Sequence, residues 1–206
     1  MSFDLPKFYA ITDTRVSGLS HGAQVTRLAA GGAKLIQVRE KHLSSRAFYD
    51  EACDALRIAR ELGVKLLIND RVDIALALDA DGVHLGQTDL PAESARRLLG
   101  PNAIIGLSLH SEEQARRAPL SAVDYLAAGP VFATKSKDNP DPVLGIDGLR
   151  AIRTVIGKMP LVAIGGIDHR NAFEVLHSGA DAIASISAVL ANPNGIEAAT
   201  RALIQL

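Results

Sequence analysis

The chain has 206 residues, 48% of them hydrophobic, with a formal net charge of -1. That size and apolar content suit one compact domain over residues 1–206 with a large core. The near-zero charge excludes a basic field for nucleic acid, and no apolar run approaches the roughly 20 residues that span a bilayer.

Cys53 is the only cysteine, so no internal disulfide forms, and acid and proline stand in residues 1–7 where a signal peptide would be apolar. A cytoplasmic protein is the expectation. Cys53 falls in an apolar helical pattern with Ala52 and Leu56 and is read as a buried small hydrophobe.

Short aliphatic runs recur along the chain: Phe8–Thr12, Leu35–Arg39, Lys65–Asn69, Gly82–Leu85, Ile104–Ser108, Tyr125–Gly129, Leu161–Gly165 and Ala182–Ile186. Amphipathic stretches such as Ser44–Leu62, Glu93–Leu99 and Asn171–Ser178 lie between them. Near-continuous apolar strands alternating with helices predict a parallel sheet covered on both faces. The run starts are spaced by roughly 17 to 36 residues, about one βα unit each, so a single (β/α)8 TIM barrel is expected. A doubly wound open sheet is the alternative. The junctions Gly31-Gly32-Ala33-Lys34-Leu35, Ala80-Asp81-Gly82-Val83 and Gly179-Ala180-Asp181-Ala182-Ile183 repeat faintly, each leading a helix into a strand. The stretch Ala133–Gly145 contains Asp138-Asn139-Pro140-Asp141-Pro142 and is expected to be a long loop, a functional lid, with a disordered insertion as the plain alternative.

The carboxyl ends of barrel strands build active sites, and here they carry most of the chemistry-bearing residues. Alternation along the second run places Gln37, Arg39 and Lys41 on one face and Ile36 and Val38 on the other. A guanidinium and an ammonium side by side read as an anion cradle, or as a strand running out into solvent. Asp70 and Asp89 end neighbouring strands. Converging carboxylates that leave room for water and substrate oxygens suit Mg2+, whereas taken singly each aspartate could be a helix cap. Gly165-Gly166 and Ser185/Ser187 sit where barrels commonly bind a phosphate; a tight turn and a helix cap are the plain alternatives. His84 is either a satisfied core histidine or a participant. His110 carries little weight, and His21, His42, His169 and His177 are expected at the surface.

At these residues the sequence resembles the thiamine phosphate synthase family. The segments are Gln37-Val38-Arg39-Glu40-Lys41, Asn69-Asp70, His84-Leu85-Gly86-Gln87-Thr88-Asp89, Gly129-Pro130-Val131-Phe132-Ala133-Thr134-Lys135-Ser136-Lys137, Ile164-Gly165-Gly166-Ile167 and Ile186-Ser187-Ala188, in that order along nearly the whole chain. The resemblance implies a barrel enzyme that joins a hydroxymethylpyrimidine diphosphate to a thiazole phosphate and releases pyrophosphate. It implies that Gln37, Val38, Arg39, Glu40, Lys41, Asn69, Ser108 and Lys137 hold the pyrimidine diphosphate. Thr134, Lys135, Ser136, Gly166, Ile186 and Ser187 would hold the thiazole phosphate, and Asp70 and Asp89 would ligate Mg2+. Arg39, Lys41 and Lys137 would stabilise the leaving pyrophosphate before the thiazole nitrogen attacks. The family often has threonine where Ser136 stands; the hydroxyl is kept. Two rival readings are a metal-free thiazole tautomerase of a sister family and a non-catalytic sensor of thiamine phosphates. Asp70, Asp89 and Lys137 together, and Pro130 after Gly129, count against the tautomerase. The expected partners are small phosphorylated molecules, with no nucleic acid or membrane, and a homo-oligomer is compatible with the sequence.

Overall fold

A computed structural model describes residues 4–134 and 141–206. Its strands are β1 (Phe8–Ile11), β2 (Leu35–Val38), β3 (Lys65–Asn69), β4 (Gly82–Leu85), β5 (Ile104–Leu109), β6 (Tyr125–Ala128), β7 (Leu161–Ile164) and β8 (Ala182–Ser185). The helices are α1 (Thr14–Ser17), α2 (His21–Ala30), α3 (Ser45–Glu61), α4 (Val72–Leu78), α5 (Ala92–Leu99), α6 (Glu112–Arg117), α7 (Gly145–Ile156), α8 (Ala172–His177), α9 (Ser187–Leu190) and α10 (Ile196–Ile204). All strand pairs are parallel and follow chain order, and β1 pairs with both β2 and β8, so the sheet closes. Closure sets aside the open doubly wound sheet and leaves a (β/α)8 barrel.

The two-residue period of each strand divides its side chains between two cores. Tyr9, Ile11, Leu35, Leu67, Ile104, Tyr125, Ala127 and Val162 fill the barrel interior. Phe8, Ile36, Val38, Ile68, Val83, Leu85, Ile105 and Ile183 face outward and pack with Val25 and Leu28 of α2 and Phe48 and Leu56 of α3. The interior is wide enough for Tyr9 and Tyr125 to meet edge to face, with ring centroids 5.7 Å apart. Gly106 makes this possible, because a Cβ there would lie 2.1 Å from Tyr125 Cζ and 2.6 Å from His84 Nδ1.

The amino-terminal end of the barrel is tied together by a repeated aspartate. Asp81, Asp124 and Asp181 stand just before β4, β6 and β8 and accept the backbone N–H of Leu66, Ile105 and Leu161 at 2.9, 2.7 and 2.8 Å. Each aspartate also pairs with a cation, Lys65, Arg96 and Arg153 respectively. This accounts for two of the repeated junctions, those around Asp81 and Asp181.

Two expectations need correction. Cys53 is exposed. The buried stripe of α3 runs through Phe48, Ala52, Ala55, Leu56 and Ala59, and one residue past Ala52 turns about 100° away from it. His21 is fully buried at the start of α2, where its Nδ1 is 2.7 Å from Thr12 Oγ1. His42, His169 and His177 are exposed. Among the described residues no helix is long and apolar enough to cross a membrane.

Candidate active site

The carboxyl ends of the strands open into a cavity of about 510 Å3. Gln37, Arg39, Lys41, Asn69, Asp70, Asp89, Ser108, Thr134, Gly166, Ile186 and Ser187 all line it. Lys135, Ser136 and Lys137 lie outside the described residues. The side chains of Val38 and Glu40 are not among those that line the cavity. Val38 is fully buried in the outer core. Glu40 turns outward by the same alternation that turns Arg39 and Lys41 inward.

Glu40 builds the loop that presents those cations. Its Oε1 accepts the backbone N–H groups of Lys41, His42 and Leu43 at 2.8, 2.7 and 3.3 Å. Its Oε2 accepts from Thr14 Oγ1 at 3.2 Å and lies 3.4 Å from His21 Nε2, a contact short of a full hydrogen bond. Burial opposes ionisation of Glu40, but the N–H groups of His42, Lys41 and Leu43 outweigh it and hold the carboxyl below its ordinary pKa. Burial likewise lowers the pKa of His21, against the pull of Glu40.

Arg39 is held by Asp13, with Nη1 2.8 Å from Oδ2, while Asp13 also caps α1 through the N–H groups of Arg15 and Val16. Lys41 reaches across to β3, where its Nζ pairs with Asp70 Oδ2. Neither Asp70 nor Asp89 caps a helix. The α4 cap position is Arg71 and the α5 cap position is Pro91, and neither makes a side-chain cap bond. Asp70 sits in the left-handed region at φ 61°, and Asp89 accepts the Gly86 N–H at 2.6 Å. Burial pushes the Asp89 carboxyl up; the Gly86 N–H opposes this, and the adjacent Asp70 carboxyl adds to it. Among the described residues no three His, Cys, Asp or Glu side chains gather as a metal site. Two crowded carboxylates still fit Mg2+, which takes few protein ligands and keeps water and substrate oxygens. Beside them, the buried Asn69 Nδ2 has no hydrogen-bond partner, leaving a donor unspent.

On the far side Gly166, at φ 63°, lies under the β6 loop, where a Cβ would meet Ala133 O at 2.6 Å. Ser187 starts α9, whose cap position makes no side-chain bond, so its hydroxyl is not spent as a cap. Ser185 donates to Ile167 O at 3.0 Å.

The cavity floor is a hydrogen-bonded chain that the sequence did not reveal beyond Gln37, His84 and Ser108. Gln37 Nε2 donates to Tyr9 Oη at 2.5 Å, and Tyr125 Oη donates to the same oxygen at 2.9 Å. His84 lies between Tyr125 Oη, 2.8 Å from Nδ1, and Ser108 Oγ, 2.9 Å from Nε2. Burial pushes His84 down to about 4, so it is neutral at pH 7. Burial also raises Tyr9 and Tyr125, which stay protonated. The available signal was the inward register of both tyrosines, with Gly106 beside Tyr125 on the neighbouring strand.

Known proteins resemble this chain along nearly its whole length. A thiamine-phosphate synthase of Chloroflexus aurantiacus is 47% identical over 198 residues, 96% of this chain and 90% of its own. One from Clostridium novyi is 44% identical, covering 97% of this chain and 98% of its own. The structure of a thiamine phosphate pyrophosphorylase from Pyrococcus furiosus superposes with a TM-score of 0.84 at 42% identity, covering 97% of this chain and 94% of that one. The profile of the family described as thiamine monophosphate synthase matches residues 8–189, and the chain belongs to that family.

Proposed function

We propose that this barrel is a thiamine-phosphate synthase, a transferase that moves a pyrimidinylmethyl group from diphosphate to a thiazole nitrogen. The observation that carries the reading is the convergence of Arg39, Lys41, Asp70 and Asp89 on one cavity at the strand ends. The substrates are 4-amino-2-methyl-5-hydroxymethylpyrimidine diphosphate and a thiazole phosphate. The methylene C–O bond breaks and pyrophosphate leaves with its electron pair. The thiazole nitrogen lone pair then forms the new C–N bond, giving thiamine phosphate. No proton is removed in that step, which suits a cavity whose two histidines, His84 and His110, are both hydrogen-bonded to protein neighbours.

Arg39 and Lys41 supply positive charge where negative charge grows on the leaving group, and Asn69 Nδ2 offers an unspent donor. Lys137 is proposed as a third cation. Asp70 and Asp89 would hold Mg2+, and the ion when bound supplies divalent charge to the diphosphate oxygens. Thr134, Gly166, Ile186 and Ser187, opposite this cluster, would hold the thiazole phosphate, together with Lys135 and Ser136. A cytoplasmic setting suits an exposed, unpaired thiol.

The test is to mix both substrates with Mg2+ and follow pyrophosphate. Equal amounts of pyrophosphate and thiamine phosphate are expected. Isomerisation of the thiazole phosphate alone would point to a tautomerase, and binding without turnover to a sensor.

A further inference from the structure

Among the described residues, β2 to β8 all line the cavity with residues from beyond their carboxyl ends, and β1 does not. The residues that follow β1, Thr12, Asp13 and Thr14, are polar and turn sideways onto the end of β2. Thr12 Oγ1 accepts the Arg39 N–H at 3.3 Å, Asp13 Oδ2 accepts from Arg39 Nη1 at 2.8 Å, and Thr14 Oγ1 donates to Glu40 Oε2 at 3.2 Å. These consecutive residues fix the backbone of Arg39, its guanidinium and the glutamate that builds the next turn. Asp13 is itself fixed. Its Oδ1 accepts the N–H groups of Arg15 and Val16 at 3.0 and 3.2 Å, and its own N–H donates to Gln24 Oε1 at 2.9 Å. The side chains of Arg39 and Asp13 are 17% and 11% exposed, which shelters their ion pair from the screening that cancels surface pairs. Nη1 is the one guanidinium atom of Arg39 that meets a protein acceptor among the described residues. A planar fork held at one corner has the rest of its donors aimed.

We propose that Asp13 is a positioning residue for the leaving group: it holds one corner of the Arg39 guanidinium so that the remaining N–H donors face the cavity and grip a diphosphate there. The identity of that anion as the leaving group rests on the proposed function; the hold on Arg39 does not. Two effects oppose each other. The Asp13 carboxylate cancels part of the Arg39 charge and repels an anion, so on charge alone its loss would tighten anion binding. On positioning, its loss loosens binding, because a released arginine side chain must be ordered again by each anion that arrives. The burial of the pair and the several bonds that fix Asp13 favour positioning.

Binding of inorganic pyrophosphate in the presence of Mg2+, measured by calorimetry, reads the sign. Asp13→Ser keeps a cap on α1, since a serine hydroxyl accepts the same N–H groups, but it falls short of Arg39. It should bind pyrophosphate roughly tenfold more weakly than wild type, the scale of one hydrogen bond to a charged group. In an Arg39→Met background the same change should weaken binding by less than about twofold, since Asp13 then has nothing to aim. In turnover, Asp13→Ser should lower kcat/KM for the pyrimidine diphosphate by a similar factor and leave KM for the thiazole phosphate within about threefold. Unchanged or tighter pyrophosphate binding by Asp13→Ser overturns the inference. An equal loss in both backgrounds overturns it too, because general damage to the fold gives that result. Should Asp13→Ser not fold, Asp13→Asn takes its place. It has the same shape but one oxygen for two sets of donors, so weaker pyrophosphate binding is again expected. Wild-type protein that binds pyrophosphate but forms no thiamine phosphate overturns the proposed function instead, and the comparison of variants is read all the same.

Discussion

Glu40→Gln removes a charge from a side chain that does not line the cavity. The carboxylate accepts three backbone N–H bonds on one oxygen and a threonine hydroxyl on the other, with its side chain 4% exposed. Glutamine keeps one acceptor, loses the charge assistance and buries an amide NH2 toward Thr14 and His21. A hydrogen bond to a charged group contributes about 1.5–3 kcal/mol, and that is the expected total loss, since the amide oxygen retains part of the turn. For a chain near 200 residues this lowers Tm by roughly 3–12 °C. The folded carboxyl lies below its unfolded pKa, so its stabilisation is complete above the unfolded value and fades as pH falls through the folded one. Melts of the two proteins followed by circular dichroism should therefore differ most at neutral pH and converge as pH falls through the folded pKa of Glu40, below the ordinary glutamate range. Turnover should fall as well, because residues 41–43 lose the anchor that aims Lys41 at Asp70. A variant that melts within about 1 °C of wild type at neutral pH would refute the assignment of Glu40 as the organiser of this loop.

Three further outcomes follow from the same geometry. Mg2+ binding, measured by calorimetry, should weaken on acidification at a pH above that of ordinary carboxylates. Burial, helped by Asp70, raises Asp89, and its protonated form does not ligate; Asp89→Asn should abolish that pH dependence. Gly106→Ala forces a methyl against Tyr125 and His84 and should destabilise by at least about 1–3 kcal/mol in urea titrations, with activity lost in the fraction that folds. Cys53 should react with a thiol reagent in the native state and leave turnover unchanged, since it faces solvent on α3.

The closed barrel was legible because each strand is short and apolar and each helix amphipathic, so the period alone separates them. The inward direction of Gln37, Arg39 and Lys41 was legible for the same reason. That alternation also points Val38 and Glu40 outward; their place in the binding segment comes from the family likeness and not from the pleat. Cys53 was misplaced by a single residue of helical phase. His21 was misplaced because its environment is set by Thr12 just beyond β1 and Glu40 beyond β2, neither of which helix periodicity can report. Tyr9 and Tyr125 are 116 residues apart and meet only across the barrel axis, so no local pattern announces their bond.

Aspartate shows how far position decides the role of one residue type. Those that precede even-numbered strands, Asp81, Asp124 and Asp181, accept a strand N–H and pair with Lys65, Arg96 or Arg153. Their charge is spent on holding one end of the barrel shut. Of those that follow strands, Asp13 pairs with Arg39, whereas Asp70 and Asp89 crowd each other, and only Lys41 pairs with Asp70 among the described ion pairs. A carboxyl held above its ordinary pKa by burial and a like neighbour weakens the folded state when ionised. Such crowding is relieved by a cation, and the cavity that opens over both groups is where one can be delivered with the diphosphate.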